Sequence, residues 1–105
     1  MELATAGHDG RRYARVACGA SAVIALRDQE LRGVCENLSI GGAYFKGAGA
    51  ALSTTVSMTL SLPMAGDVEL VGEVRHSSDS GCGIRFTRIP SRALLAICAY
   101  VNGHA

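Results

Sequence analysis

The chain has 105 residues, 49% of them hydrophobic and 18% charged, with ten Lys and Arg against nine Asp and Glu. These values predict one folded domain with a modest core and exclude a disordered chain. A formal net charge of +1 argues against binding duplex DNA or a membrane surface through overall charge. Any site for an anion must therefore be a local cluster.

The cysteines and the apolar runs bear on compartment and cofactors. Cys18, Cys35, Cys82 and Cys98 are far apart, with no C-x-x-C pair and no His at ligand spacing, so no metal site and no cofactor are predicted. The first residues lack the apolar core of a signal peptide, and no run reaches transmembrane length. We therefore expect a cytoplasmic protein with reduced, packed cysteines and no membrane insertion.

Residues 1–10 show no periodicity and predict a flexible tail, followed by a single domain over residues 11–103. The segment from Arg11 to Arg15 reads Arg-Arg-Tyr-Ala-Arg. Guanidinium groups stay charged, bind phosphate oxygens through paired hydrogen bonds and stack on flat rings. The cluster predicts either a site for an anion with aromatic faces or, as is usual for short charge runs, a solvent-exposed segment.

Alternating apolar and polar residues predict six short strands downstream of the arginines. The predicted strands cover residues 16–26, 31–40, 43–45, 54–62, 68–74 and 82–86. The polar segment 76–81 predicts the turn between the last two of them. Tyr44 and Phe45 follow two glycines, and one of these two rings is expected in the core.

The pattern then changes to helical spacing. Pro90 suits the first turn of a helix and Gly103 its end. Between them Leu94, Ile97, Cys98 and Val101 are spaced to form one apolar stripe. The sequence therefore predicts an all-β fold, a small six-stranded antiparallel β-barrel with a C-terminal α-helix packed on it.

The segment from Asn37 to Gly42 reads Asn-Leu-Ser-Ile-Gly-Gly. On a regular strand Asn37 and Ser39 share one face with Cys35, whereas Leu38 and Ile40 point into the core with Val34. Gly42 would allow a positive φ or a close approach of a ligand to the backbone. The segment predicts a polar surface on the outside of the sheet, although taken alone it is also typical of an ordinary turn at a strand end.

These two segments, in this order and spacing, resemble the PilZ domain, the cyclic di-GMP receptor module of bacteria. The resemblance extends from Arg11 to about Val101 and includes a closing strand with Gly-Ile-Arg-Phe at positions 83–86. It implies that the arginine segment wraps the ligand while strand residues contact it from the barrel surface. The implied cyclic di-GMP-binding residues are Arg11, Arg12, Arg15, Asn37, Ser39 and Gly42.

Some residues near these motifs are left open by the sequence. Tyr13, Arg75, His76 and Arg85 could reach the ligand or face solvent. Asp9 would place a carboxylate close to a dianionic ligand and weaken its binding. Ser39 has no His and acid in a recognisable arrangement, so no catalytic residues are assigned and an enzyme is not expected.

The resemblance implies a cyclic di-GMP receptor and adaptor that orders its arginine segment on binding and signals to a partner protein. A ligand-dependent homodimer is left open. The alternative is a PilZ-like interaction module, as in pilus or flagellar machinery, that binds no nucleotide. A barrel for single-stranded nucleic acid is less compatible, because the net charge is near neutral and five residues are aromatic.

Overall fold

The computed structural model describes residues 14–104. The predicted tail at residues 1–10 lies outside them, as do Arg11, Arg12 and Tyr13.

Six strands and one helix make up this part of the chain, in the order expected from the sequence. They are β1 (Val16–Ala25), β2 (Glu30–Leu38), β3 (Gly42–Lys46), β4 (Thr55–Leu62), β5 (Gly66–Ser78), β6 (Gly81–Arg88) and α1 (Ser91–His104). The strands close into a barrel in the order β1-β2-β3-β6-β5-β4, and every neighbouring pair is antiparallel. The predicted fold class is confirmed.

The core fills the barrel with the inward residues of each strand. The cleanest alternation is in β4, where Val56, Met58, Leu60 and Leu62 are buried and the residues between them face outward. Phe45 is fully buried whereas Tyr44 is half-exposed, so one of the two rings belongs to the core, as expected.

The second strand departs from the predicted pattern. Cys35 and Leu38 are both fully buried, although they are three positions apart, and Val34 is 40% exposed. A register shift between Cys35 and Asn37 in the pairing of β2 with β3 adds one residue on the β2 side. This β-bulge changes which residues point inward. The prediction that Cys35 shares an outward face with Asn37 and Ser39 is therefore wrong.

The fifth strand is longer than the sequence predicted. β5 extends to Ser78, so that His76 and its neighbours belong to the strand and the turn is confined to Asp79 and Ser80. A register shift between Val74 and His76 places an extra residue, Arg75, on β5. Both Arg75 and His76 are exposed.

The helix packs on the barrel through Ala93, Ile97 and Val101, all of them buried. Its contacts fall mainly on β5 and β1. Leu94 is 37% exposed, so the buried stripe is rotated from the predicted one by about one residue. The i, i+4, i+8 spacing of the buried residues is still that of an amphipathic helix.

Candidate cyclic dinucleotide site

The first strand begins directly beside the end of the second. Val16 pairs with Leu38, and Ala17 pairs with Asn37. Arg15, one residue before β1, therefore lies next to the Asn-x-Ser segment, and its Nη1 atom donates a hydrogen bond to the Asn37 Oδ1 atom over 3.0 Å. The two sequence motifs, 22 residues apart, meet at one end of the barrel.

Asn37 is placed by the bulge that precedes it. The Cys35 thiol donates a hydrogen bond to the Asn37 carbonyl oxygen over 3.2 Å. That bond fixes the backbone on the inner side of the bulge while the Asn37 side chain remains half-exposed on the outer side. The amide of Asn37 is therefore held at the surface by a buried partner.

Ser39 stabilises the turn that follows β2. Its hydroxyl accepts hydrogen bonds from the amides of Gly41 and Gly42, each over 3.1 Å, and donates to the Gly42 carbonyl over 3.2 Å. The Ser39 amide donates to the same carbonyl over 2.8 Å. Ser39 is 4% exposed, so its side chain is satisfied within the turn. Its predicted contact with a ligand stays a prediction.

Gly42 is required by the packing of β3 on β6. A Cβ atom at this position would lie 2.4 Å from the Ile84 carbonyl oxygen, a distance at which backbone must move. The residue is buried and does not have a positive φ. The glycine therefore allows two strands to approach closely, rather than providing the conformational freedom that the sequence suggested.

A row of paired residues continues from Asn37 across the outer surface of the barrel. Asn37 pairs with Tyr44, Tyr44 with Gly83, and Gly83 with His76. A Cβ atom at Gly83 would lie 3.2 Å from the His76 ring, so the ring covers this glycine. The row therefore spans four neighbouring strands and carries an amide on β2, a phenol on β3 and an imidazole on β5.

Arginines flank this row on β6 and β5. Arg85 is exposed and pairs with Gly42 on one side and Glu73 on the other. Arg75 lies at the β5 bulge, and its Nη1 atom is 3.6 Å from the Glu73 Oε1 atom. The Glu73 carboxylate therefore partly offsets the positive charge on this side.

Of the six predicted site residues, four lie within the described part of the chain, and the structure brings them to the same end of the barrel. Arg15 and Asn37 are in contact, whereas Ser39 and Gly42 form the adjoining turn. Arg85 and His76 join this surface through strand pairing. Only the register across four strands brings them there, and no local motif in the sequence carries that register.

Residues 14–104 contain no group of three His, Cys, Asp or Glu side chains arranged to hold a metal ion. The helix in this range is too short and too polar to span a membrane.

Comparison with known families agrees with this geometry. The family model for the PilZ domain matches residues 9–103, which includes the arginine segment, the barrel and the helix. The chain belongs to the PilZ domain family. No curated protein sequence matches it.

Several solved structures share the fold at low sequence identity. MotI/DgrA, the Bacillus subtilis inhibitor of motility, aligns with a TM-score of 0.77 and 19% identity, over 89% of this chain and 50% of that one. YcgR from Escherichia coli, solved in complex with c-di-GMP, aligns with a TM-score of 0.73 and 16% identity, over 90% of this chain and 45% of that one. The chain thus spans about half the length of both proteins.

A third similar structure is the PilZ domain of CeSA from a cellulose-synthesising bacterium, with a TM-score of 0.71 and 20% identity. Here the alignment covers 86% of this chain and 96% of that domain. The shared architecture is therefore that of an isolated PilZ domain.

Proposed function

We propose that this chain is a cyclic di-GMP receptor, acting in the cytoplasm, whose arginine segment closes over the ligand at the Asn37 end of the barrel. The observation that supports this most directly is the Arg15–Asn37 hydrogen bond. Through it, the last arginine of the segment is next to the strand residue that family resemblance assigns to the ligand. The structure of YcgR with c-di-GMP supports the choice of ligand.

The ligand has the chemistry that this surface can bind. Cyclic di-GMP carries two phosphate charges and two guanine bases. Guanidinium groups bind phosphate and the guanine O6/N7 edge through paired hydrogen bonds, and stacking a base on a planar group contributes roughly 1–3 kcal/mol. Arg11, Arg12 and Arg15 would supply these groups, and Asn37 an amide.

In this proposal the turn after β2 positions the site. Ser39 holds the amides of Gly41 and Gly42 from inside the turn, and Gly42 allows β3 to pair closely with β6. A substitution at either residue would displace Asn37 and Arg85 relative to each other. We place both residues in the binding site on this basis, with direct contact to the ligand as a further prediction.

We further propose that ligand binding orders residues 11–15 and so presents a changed surface to a partner protein or to a second copy of the chain. Ordering costs about 1–2 kcal/mol of backbone entropy per residue. Several charge-assisted hydrogen bonds, each worth about 1.5–3 kcal/mol, can exceed that sum.

Isothermal titration calorimetry of the purified chain with cyclic di-GMP tests the receptor role. We expect saturable binding, with Arg12→Ala and Arg15→Ala each losing at least about 2 kcal/mol, or roughly 30-fold in affinity. Arg32→Ala is the matched control, because Arg32 is also an exposed arginine but lies near the other end of β2, where it forms an ion pair with Glu30. Unchanged affinity in both site variants would contradict the assignment of roles.

The alternative is an interaction module that works without nucleotide. Its support is the exposed apolar surface of α1, where Leu95 is 72% exposed. If the titration shows no heat and the ligand does not raise the melting temperature, this alternative replaces the receptor role. Saturable binding excludes it.

A further inference from the structure

Two cysteines lie on neighbouring strands, close in sequence to the Arg15–Asn37 contact. Register shifts occur between Ala17 and Ala20 on β1 and between Cys35 and Asn37 on β2. They place Cys18, on the β1 bulge, on the strand beside Cys35, and the Cys18 side chain packs against the core cluster that contains Cys35. Both cysteines are free.

The two thiols differ in their access to solvent. Cys35 is fully buried, and burial, with a further contribution from Cys18, raises the pKa of its thiol far above the usual value. Cys18 is half-exposed and lines an open groove with Gly19, Glu36 and Lys46. A small oxidant can therefore reach Cys18 before it reaches the buried Cys35.

The pair is connected to the candidate site by the backbone. The Cys35 thiol is the donor that binds the Asn37 carbonyl, so any reaction at this sulfur removes that hydrogen bond. On the other side, the Tyr100 hydroxyl of α1 is 3.4 Å from the Ala17 carbonyl oxygen and 3.5 Å from that of Cys18. The β1 bulge is thus held between the helix and the residue that binds Arg15.

We propose that Cys18 and Cys35 are an oxidisable pair, and that their disulfide changes the geometry of Asn37 and Arg15. With hydrogen peroxide as oxidant, the Cys18 sulfur attacks one peroxide oxygen, the O–O bond breaks, and a sulfenic acid and water form. The Cys35 thiol then attacks the Cys18 sulfur, its proton moves to the leaving oxygen, the S–O bond breaks, and water leaves. In sum, two thiols and one peroxide give one disulfide and two waters.

The disulfide has a defined structural consequence. The S–S bond is only about 2.0 Å long, much shorter than the contact between two free thiols, so the side chains of Cys18 and Cys35 must move together when the bond forms. At the same time the Asn37 carbonyl loses its donor. If the chain binds cyclic di-GMP as proposed above, oxidation weakens that binding about fivefold, the effect of losing roughly one net hydrogen bond.

Mass spectrometry of peroxide-treated protein, digested without reduction, tests the first half of the proposal. We expect a linked peptide pair containing Cys18 and Cys35 that disappears after dithiothreitol. Cys18→Ser abolishes it, whereas Cys98→Ser, which removes a half-exposed thiol on α1, leaves it intact. Alkylation of the peroxide-treated wild-type protein under denaturing conditions should label Cys82 and Cys98 but not the linked pair, which gives the same assignment without any variant. Sulfinic acid at Cys18 without a linked peptide, or links through Cys98, would overturn the pair.

An amide ¹H–¹⁵N spectrum tests the second half without any ligand. On oxidation we expect the signals of Arg15 and Asn37 to move, and those of β4 residues such as Ser57 to stay in place. A linked pair with unmoved Arg15 and Asn37 signals would overturn the coupling. The receptor function is judged separately, on the reduced protein, so its failure would leave this result interpretable.

Discussion

The strands of the β4–β5 hairpin and those of the β1–β2–β3 end of the barrel pair in different ways. β4 and β5 run in unbroken register from Thr55 opposite Glu73 to Leu62 opposite Gly66. The β1–β2 and β2–β3 pairings each contain a register shift. Regular pairing buries every second residue and leaves no irregular surface, whereas each bulge adds one unpaired residue and turns its neighbours.

The bulges explain why the candidate site lies where it does. Gly19, in the β1 bulge, has a φ of 93°, in the left-handed region that glycine adopts without strain. The bulge at residue 36 brings Asn37 outward beside Arg15, and the one at Arg75 places two basic side chains on the outer face of β5. The regular hairpin contributes two evenly paired strands to the closed barrel, and the bulged end carries the polar surface.

Among the substitutions that distinguish the two regions, Leu60→Ala in the regular hairpin is expected to have the largest effect on stability. Leu60 is fully buried, so its truncation leaves a cavity and should lower the free energy of unfolding by about 2–5 kcal/mol. Ligand affinity per folded molecule should not change, because β4 does not reach the Asn37 row. Urea denaturation and calorimetry measure the two quantities.

The matched control for that experiment is Ser57→Ala, an outward position on the same strand. Its effect on stability should stay within about 0.5 kcal/mol. Loss of ligand affinity in folded Leu60→Ala protein would show that the two regions are not separate.

The next effect is expected from Gly42→Ala at the bulged end. The added Cβ would lie 2.4 Å from a backbone oxygen of β6, and backbone cannot turn away as a side chain can. We expect a loss of about 3 kcal/mol in unfolding free energy, the upper part of the range for overpacking. Here, unlike at Leu60, ligand affinity should also fall, because β3 and Arg85 move apart.

Gly103→Ala is the control for glycine replacement as such. Gly103 lies in α1 with nothing within 4 Å of a new Cβ, so helix propensity predicts a gain of up to about 1 kcal/mol. Equal effects of the two substitutions would contradict the packing role assigned to Gly42.

A smaller effect is expected from Ser39→Ala. The variant leaves the buried Gly42 amide without its hydroxyl partner, which should lower the free energy of unfolding by about 1–2 kcal/mol. Ser61→Ala removes the hydroxyl that donates to Asp67 on the regular hairpin and, because that pair is exposed, should have a smaller effect. Thermal denaturation of the two variants side by side gives the comparison.

The sequence predicted the regular region better than the bulged one. Strict alternation in Thr55–Leu62 identifies both the strand and its buried face, because an unbroken period of two allows only one choice of inward-facing residues. The same reasoning at β2 assumed an unbroken period and so placed Cys35 on the wrong face. A bulge depends on pairing with a strand that is distant in sequence, so the alternation of residues within one strand does not reveal it.

The sequence predicted only part of the candidate site. Arg15 and Asn37 were found from motif spacing, and the register of β1 with β2 places them in contact. The nearby positions of Arg85 and His76 depend on β3–β6 and β5–β6 pairing and were left open. The buried hydroxyl of Ser39 accepts hydrogen bonds from two turn amides. The Asn-x-Ser spacing alone does not show whether the serine side chain turns inward in this way or faces outward.

The smallest effect, and the finest test of the difference between the two regions, is expected from Glu36→Gln. Glu36 is in the β2 bulge, next to Asn37, and its Oε2 atom is 3.9 Å from the Lys46 Nζ atom, with both side chains more than half-exposed. Such a surface ion pair contributes at most about 1 kcal/mol, so stability should hardly change. Removing one negative charge next to the proposed site of a dianion should nevertheless raise ligand affinity about twofold at low salt, an effect that decreases as salt increases. Glu69→Gln on the regular hairpin, also an exposed carboxylate, should leave affinity unchanged. Equal gains from the two variants would mean that net charge, rather than the position of charge at the bulged end, controls binding.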